Sequence, residues 1–508
     1  MFESGKDTMP AYRFAPESSR SAWRKLAWPL MPLMAALVLA GCATAPSDVP
    51  AALDTLPAQF KEQARQSLAP EDAGRWVATA PAEAQPRGEW WRAFGDTRLD
   101  ALVERAGTAN SSVQQAAARL AQARALLRSA QADRLPQVGI STGAGREAGL
   151  ESTGSSQPAT VLKAGAELSY EVDLFGRLAR ARDAASLDAQ NRAALLESVR
   201  LLAQANTAQT YLALRALDAE RQLVRESVEI YRDTLRLTER RQQAGDLAEL
   251  DVARAQTELA ATESDALALD RQRAQYEHAL AVLVGEAASG FALAEQDWDT
   301  RLPVVPPGLP AGVLARRADV SAAQAAVLAA QARVGVAQAA WFPRIMLTAS
   351  GGYASPDIGD LLQWSMRSWG IGALLSLPIF DGGRREAGVR QAAAQLDEAL
   401  AGYRGQVLGA IAEVEDQLSS LHLLEAQART QSRAVASARR ATQLSDLRYR
   451  NGYVSQLDLL DAQRSELRNR RQALQVRSAQ YQATVALVRA LGGGWDPQPR
   501  QAAAAPGV

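Results

Sequence analysis

"QQAGDLAELDVARAQ", Gln242 to Gln256, returns respelled as "YRNGYVSQLDLLDAQ", Tyr449 to Gln463. Gly245 answers to Gly452, Leu250-Asp251 to Leu457-Asp458, and Ala255-Gln256 to Ala462-Gln463, always at an offset of 207 residues. Farther out, Pro136 matches Pro343, Gly176-Arg177 match Gly383-Arg384, and Ala279-Leu280 match Ala486-Leu487 at the same offset. A constant offset sustained so far marks an internal duplication. Between the copies, "RLPVVPPGLP" (Arg301 to Pro310) carries four prolines and reads as a linker.

Each copy holds two segments of period two. Val138, Ile140, Thr142 and Ala144 take one parity, and Gln137, Gly139, Ser141 and Gly143 the other. A return segment sets Leu162, Ala164, Ala166, Leu168, Tyr170, Val172 and Leu174 against Lys163, Gly165, Glu167, Ser169, Glu171 and Asp173. The second copy repeats this with Ile345, Leu347 and Ala349, then Trp369, Ile371, Ala373, Leu375, Leu377 and Ile379. The pattern predicts two strand hairpins, each with one apolar and one polar face. The rest predicts helix. Gly176 to Gly245 spans 69 residues, as does Gly383 to Gly452, room for helices of roughly 100 Å at about 1.5 Å per residue. Apolar positions step by threes and fours: Val224, Val228, Tyr231 and Leu235 in one, Val407, Ile411, Val414, Leu418 and Leu421 in the other. Such helices pack side by side as coiled coils. Gly245 and Gly452 then mark where each long helix turns back.

Composition narrows the class. Lys+Arg and Asp+Glu are both 56 in 508 residues, so the net charge is +0 and nothing electrostatic points to nucleic acid. The single cysteine, Cys42, excludes an internal disulfide. Beyond the N-terminus no apolar run is expected to span a bilayer as a helix, which leaves membrane strands open. At the N-terminus, Arg24-Lys25 precede an apolar stretch ending in Leu39-Ala40-Gly41-Cys42, a secretory signal that resembles a bacterial lipobox with Cys42 as the lipidated residue. Ala43 follows, where lipoproteins of this kind use Asp to avoid the outer membrane. Met9 offers a later start that would shorten the long n-region. Residues 43 to about 87 are rich in Ala and Pro and read as an extended tether, and the tail after Gly494 reads as disordered.

Four such strands cannot close a barrel alone. An open edge in hydrocarbon leaves N–H and C=O groups unpaired at several kcal/mol each. Barrels need about eight strands, and water-filled ones more. The strands must therefore be pooled from several chains: two give eight, three give twelve.

Here the chain resembles an outer-membrane channel lipoprotein of the TolC family, in the branch serving resistance-nodulation-division (RND) efflux pumps. The resemblance rests on "LAGC", "WWRAFGDTRLDALVERA" from Trp90, "YEVDLFGRLARARDAA" from Tyr170, "VGVAQAAWFPRIMLTASGGY" from Val334, "SLPIFDGGRR" from Ser376 and the two glycine phrases. It implies an α+β membrane protein: a homotrimeric twelve-stranded β-barrel, four strands per chain, continued by a long periplasmic α-helical barrel. The domains expected are a signal peptide (1–41), a lipid-anchored tether (42–93), repeat 1 (94–285), a Pro-rich linker (286–311), repeat 2 (312–492) and a tail (493–508). The implied partners are two further copies, a periplasmic adaptor (membrane fusion) protein, an inner-membrane RND pump and outer-membrane lipid; no nucleic acid, cofactor or metal is expected.

The resemblance also assigns residues. Gly245 and Gly452 become the adaptor-contacting periplasmic tips. Asp251, Asp458 and Asp461 match the aspartates that constrict the mouth, and Tyr449 matches a gate tyrosine. The competing reading makes these aspartates helix N-terminal residues favoured by the macrodipole. Val454 stands where TolC has an arginine that ties the gate shut, so the closing network must differ. "RRADV" lacks a proline usual at Ala318, read as a helix start. Gly176, Arg177, Gly383 and Arg384 mark strand-to-helix transitions. His278 and His422 are isolated, and no HExxH, phosphate loop or Ser/His/Asp order is present, so no enzyme is expected. The alternatives are a duct for type I protein secretion and, in another class, a lipid-anchored periplasmic coiled-coil scaffold.

Overall fold

In the computed structural model the described residues are 59–62, 76–78, 88–147, 158–305 and 310–493. Cys42 and the tail lie outside them. The order is β1 (Trp76–Ala78), a 3-10 turn (Trp90–Phe94), α1 (Thr97–Ala109), α2 (Ser111–Ala132), β2 (Gln137–Glu147), β3 (Ala159–Val172), α3 (Arg177–Gln243) and α4 (Glu249–Leu283). Then follow β4 (Leu302–Val304), α5 (Pro310–Arg316), α6 (Ala318–Ala339), β5 (Arg344–Ser355), β6 (Arg367–Ser376), α7 (Arg384–Arg450) and α8 (Gln456–Ala490). The copies match in length: α2 and α6 have 22 residues, α3 and α7 have 67, and α4 and α8 have 35.

Each long helix packs beside two shorter ones: α3 beside α2 and α4, α7 beside α6 and α8. The short helices are spliced end to end. Asn110 caps α2 by accepting the Ser112 N–H at 2.9 Å, and its Nδ2 donates to the Leu283 carbonyl closing α4 at 2.9 Å. The equivalent splice residue, at the 207-residue offset, is Arg317. It donates to the Ala490 carbonyl of α8 at 2.9 Å and pairs with Asp319 and Glu413. Ala318 is the first residue of α6, a position where a proline would sit without losing a hydrogen bond. Between the copies, α3 packs against both α6 and α8.

The strands form one antiparallel sheet in the order β2-β3-β5-β6. Its register stacks the apolar parities of both copies. Val138 faces Leu168, Leu168 faces Ala349, and Ala349 faces Ile371. That face is open to its surroundings, with Val138 72% and Ile371 81% exposed. The opposite face carries Ser141, Lys163, Glu167, Ser350 and many glycines. At Gly352 a Cβ would lie 2.3 Å from the Ala164 carbonyl oxygen, so this close strand approach requires glycine.

Three expectations are corrected. β3 ends at Val172 rather than Leu174, because Asp173 turns to cap α3, accepting from Leu178 N at 3.0 Å and Ala179 N at 2.7 Å. β6 ends at Ser376 rather than Ile379: its partner β5 begins at Arg344, opposite Ser376, and Pro378 has no N–H to offer. And α6 is long and apolar enough to cross a bilayer by length and composition, where no such helix was expected. Its alanines supply that hydropathy while packing against α3 and α7.

Parts of the segments expected as tether and linker join the core. Phe60 is 2% exposed, and Lys61 N and Glu62 N donate to the Glu415 carboxylate at 2.7 and 3.0 Å. β1 pairs in parallel with β4, Trp76 opposite Leu302. Phe60, Trp90, Phe94, Trp298 and Leu302 share one apolar cluster with Tyr211 and Leu212 of α3, Leu418 of α7 and Tyr481 of α8. Large aromatic side chains such as these contribute much of the apolar surface that a core buries.

Candidate functional site

The two α-hairpin turns, α3 to α4 and α7 to α8, share one backbone design. Gly245 has φ +83° and Gly452 φ +76°, the left-handed conformation that glycine adopts without strain. In the first turn Gly245 N donates to Gln242 O at 2.9 Å and Asp246 N to Arg241 O at 2.8 Å. In the second, Gly452 N donates to Tyr449 O at 3.0 Å and Tyr453 N to Arg448 O at 2.8 Å. This paired bonding satisfies the last carbonyls of each long helix.

The side chains then differ. In the second turn Ser455 caps α8. Its Oγ accepts from Asp458 N at 3.2 Å, while Ser455 N and Oγ donate to Asp458 Oδ2 at 3.0 and 2.6 Å, a complete capping box. The Ser455 hydroxyl and then its N–H hold the Asp458 carboxyl below its usual range. Asp461, one turn on, is 68% exposed and lies 3.7 Å from Arg464. In the first turn Ala248 precedes α4 and offers no side-chain cap, and Asp251 sits in the opening turn of the helix, 3.7 Å from Arg254.

Tyr449 is 2% exposed, and its hydroxyl has no hydrogen-bond partner. Arg241, on α3, lies 4.8 Å over the Tyr449 ring and donates to the Tyr449 carbonyl at 3.4 Å and the Arg450 carbonyl at 3.3 Å. A cation at the last carbonyls of α7 also suits that helix's negative end. Beside it the Gln456 amide donates to Thr238 Oγ1 at 3.0 Å, with both residues buried. Arg241 and Thr238 thus join α3 to the second turn within one chain. Sequence reading missed both. The lack of an arginine at Val454 was visible, but nothing in a linear pattern says that an arginine 208 residues before Tyr449 lies over its ring.

At the sheet end the expected transition residues differ in role. Gly176 and Gly383 both take positive φ, +71° and +88°, immediately before α3 and α7. Arg177 forks onto Glu171 at 2.8 to 3.0 Å, whereas Arg384 is exposed. In its place Asp381 accepts from Gly383 N at 3.1 Å and Arg385 N at 3.2 Å. Phe175 stacks on Phe342 with centroids 4.7 Å apart, and Arg385 lies 4.6 Å over the Trp341 ring.

A second unforeseen cluster pins residues 293–295 to α3 and α4. Arg215 is 1% exposed, pairs with Asp218 at 3.1 Å and donates to Ala294 O at 3.0 Å. Arg221 joins Asp270 and Glu295, and holds the Glu295 carboxyl below its usual range by hydrogen bond and charge. Burial first, and a 2.7 Å bond to Asp96 after it, push the Tyr211 hydroxyl up to about 12. Arginines inside an Ala-rich heptad pattern were the available signal. Among the described residues no three His, Cys, Asp or Glu side chains gather as a metal site, His278 is exposed and His422 half-buried.

Comparison with known proteins places this geometry. The family model "Outer membrane efflux protein" matches residues 102–286 and again 309–493, one match per copy. The pyoverdine export outer membrane protein OpmQ of Pseudomonas aeruginosa is 33% identical over 476 residues, 91% of this chain and 96% of OpmQ. The cation efflux system protein CusC of Escherichia coli is 31% identical over 470 residues, 92% of this chain and 98% of CusC. The solved outer-membrane channel OprN superposes with a TM-score of 0.79 at 30% identity, covering 87% of this chain and 98% of OprN. The duplicated frame, the sheet with one exposed apolar face and the paired glycine turns are those of a channel, and the chain belongs to the outer membrane efflux protein family.

Proposed function

We propose that three copies of this chain close into a twelve-stranded barrel continued by a twelve-helix tunnel, and that this assembly is the passive exit duct of a tripartite RND-type pump. The observation that carries the reading is the sheet: four strands, an exposed apolar face, and edges β2 and β6 unpaired among the described residues. In hydrocarbon those edges must find partners. Three copies supply enough strands for a water-filled lumen, and the Ser, Lys, Glu and Gly face suits water.

The duplication also supplies the closing register. β3 maps onto β6, and β5 onto β2, at the 207-residue offset. Within the chain Ala166 pairs with Gly351 and Leu168 with Ala349. Transferred, the same register sets Ala373 of one copy opposite Ala144 of the next, and Leu375 opposite Thr142. Cysteines at Ala373 and Ala144 should therefore link copies into a ladder ending near three chain masses in mild detergent. A monomer that still conducts ions, or links only at registers shifted by several residues, overturns the pooled barrel.

Cys42 supplies a lipid anchor, and Cys42→Ser should abolish palmitate labelling; a labelled variant removes the lipobox. The tips around Gly245 and Gly452 meet the periplasmic adaptor, and the pump beyond it supplies the energy. OpmQ is named for pyoverdine and CusC for a cation, yet the two are similarly close to this chain, so the duct itself is read as broad. At its mouth Asp461, Asp458 and Asp251 form carboxylate rings that favour cations. Tyr449 is read as a buried wedge behind them. Because Asp458 is engaged with Ser455 while Asp461 is exposed, Asp461→Ala should lower cation preference more than Asp458→Ala. Equal, unchanged selectivity in planar bilayers for both variants would remove them from the mouth.

A further inference from the structure

The exposed face of the sheet changes character at one end. Its members alternate from Val138 to Arg146 on β2, Thr160 to Val172 on β3, Ile345 to Ser355 on β5 and Arg367 to Leu375 on β6. Two of them are charged, Arg146 and Arg367, and both are cations. Both stand at strand ends away from the helices, the extracellular end of a channel whose helices reach into the periplasm.

The duplication relates them. Arg146 pairs with Thr160, and Tyr353 with Arg367, and the 207-residue offset carries the first pair onto the second. Each hairpin therefore has one arginine in its outermost pair on this face, on the outgoing strand in the first copy and on the returning strand in the second. The copies share the charge without sharing the position.

The height is that of a membrane boundary. From Arg344 to Tyr353, opposite Arg367, β5 advances nine residues. At about 3.3 Å per residue and a tilt of about 40° this is about 23 Å along the membrane normal, close to the apolar band of about 25 Å in such barrels. An arginine is costly in the middle of that band and nearly free at its edge. Arg367 also lies 4.3 Å over the Trp364 ring. That stack holds the plane of the guanidinium and leaves its N–H edge open. The Tyr353 hydroxyl stands across the pair as a further donor. Both arginines are exposed, and neither makes a hydrogen bond or ion pair among the described residues.

We propose that Arg146 and Arg367 bind the phosphate groups of the phosphorylated glycolipid of the outer leaflet, lipid A, while its acyl chains lie along the apolar face below. The proposal rests on the ring described above. Guanidinium and phosphate match as a two-pronged charge-assisted contact. The register that sets Ala373 opposite Ala144 also sets Ile371 opposite Arg146 of the next copy. Arg367 and that Arg146 thus stand on the two strands flanking each junction, where a lipid with two phosphates can be held by both copies.

The test uses trimers purified in mild detergent and given diphosphoryl lipid A, with retained lipid counted by native mass spectrometry. Arg367→Gln and Arg146→Gln should each weaken retention about tenfold, the scale of one charge-assisted contact, and the double variant should abolish it. Arg367→Lys should keep part of it. Arg134→Gln, at an exposed arginine beside the helix end of the sheet, should change nothing. Lipid A stripped of its phosphates, acyl chains intact, should bind about tenfold more weakly or worse. Inorganic phosphate equimolar with the lipid should not displace it. Retention indifferent to the two arginines, equal retention of the stripped lipid, or a matching loss in Arg134→Gln would each overturn the site. Displacement by equimolar phosphate would overturn the lipid as its occupant. If the Ala373–Ala144 link forms between copies in the same preparation, the ring stands and only the lipid site has failed; if it does not, the ring itself is at fault.

Discussion

The two hairpin tips began as one phrase and have the same backbone turn, yet only the second is fastened. At the first, Gln242 and Ala248 are exposed and α4 starts uncapped. At the second, the matching positions are Tyr449, buried beneath Arg241, and Ser455, which closes a capping box with Asp458. Glycine dictates the turn; the neighbouring side chains dictate how firmly the turn is set against the rest of the chain. Duplication preserved the first property and let the second diverge.

The largest expected effect breaks that contrast outright. Tyr449→Ala should cost about 3–5 kcal/mol, as for other buried aromatics, whereas Gln242→Ala should change stability by less than about 0.5 kcal/mol. Denaturant midpoints measured side by side check this, and equal losses would mean that the tips are equivalent after all. Tyr449→Phe should be neutral or slightly stabilising, since the hydroxyl it removes has no partner.

Next in size is the cap. Ser455→Ala should cost about 1 kcal/mol. The reverse experiment is more telling: Ala248 occupies the same place before α4 with an extended backbone (φ −83°, ψ 155°), and Asp251 stands three residues on. Ala248→Ser should therefore build the missing box and add about 0.5–1 kcal/mol. If both serines behave alike, the tips differ only in the buried tyrosine.

The smallest effect is on pH. Asp458 has a lowered folded-state pKa, so its stabilisation is complete above the unfolded value of 3.8 and is lost as pH falls through the folded one. The acid limb of unfolding should be steeper in the unmodified protein than in Ser455→Ala, where the hydroxyl that lowers that pKa is gone. Coincident limbs would show that the Ser455 bond does not bias Asp458 protonation.

Much of this was legible in the sequence for physical reasons. A period of two survives in strands that face lipid on one side and water on the other, so Val138 to Ala144 and Trp369 to Leu375 announced the sheet. The helix lengths followed from glycines that only a left-handed turn explains. The strand ends were less legible, because Asp173 reads as one more alternating residue until its carboxylate is seen capping α3. The tether was least legible: low periodicity hid Phe60, whose burial depends on α7, hundreds of residues away. At the mouth the aspartates could be named, but not ranked. Asp458 and Asp461 look interchangeable in sequence, and only the Ser455 bonds separate them.

The splices at Asn110 and Arg317 carry a mechanical consequence. Beside each unbroken 67-residue helix, the companion track is jointed: Asn110 ties α2 to the end of α4, and Arg317 ties α6 to the end of α8. A twist or slide imposed at the tips can be taken up at those joints, so the continuous backbones reaching from the tips to the sheet are those of α3 and α7. We expect hydrogen exchange in the last turns of α4 and α8 to quicken when an adaptor engages the tips, with exchange in β2 to β6 unmoved; parallel changes in both would mean that the companion tracks behave as rigid rods.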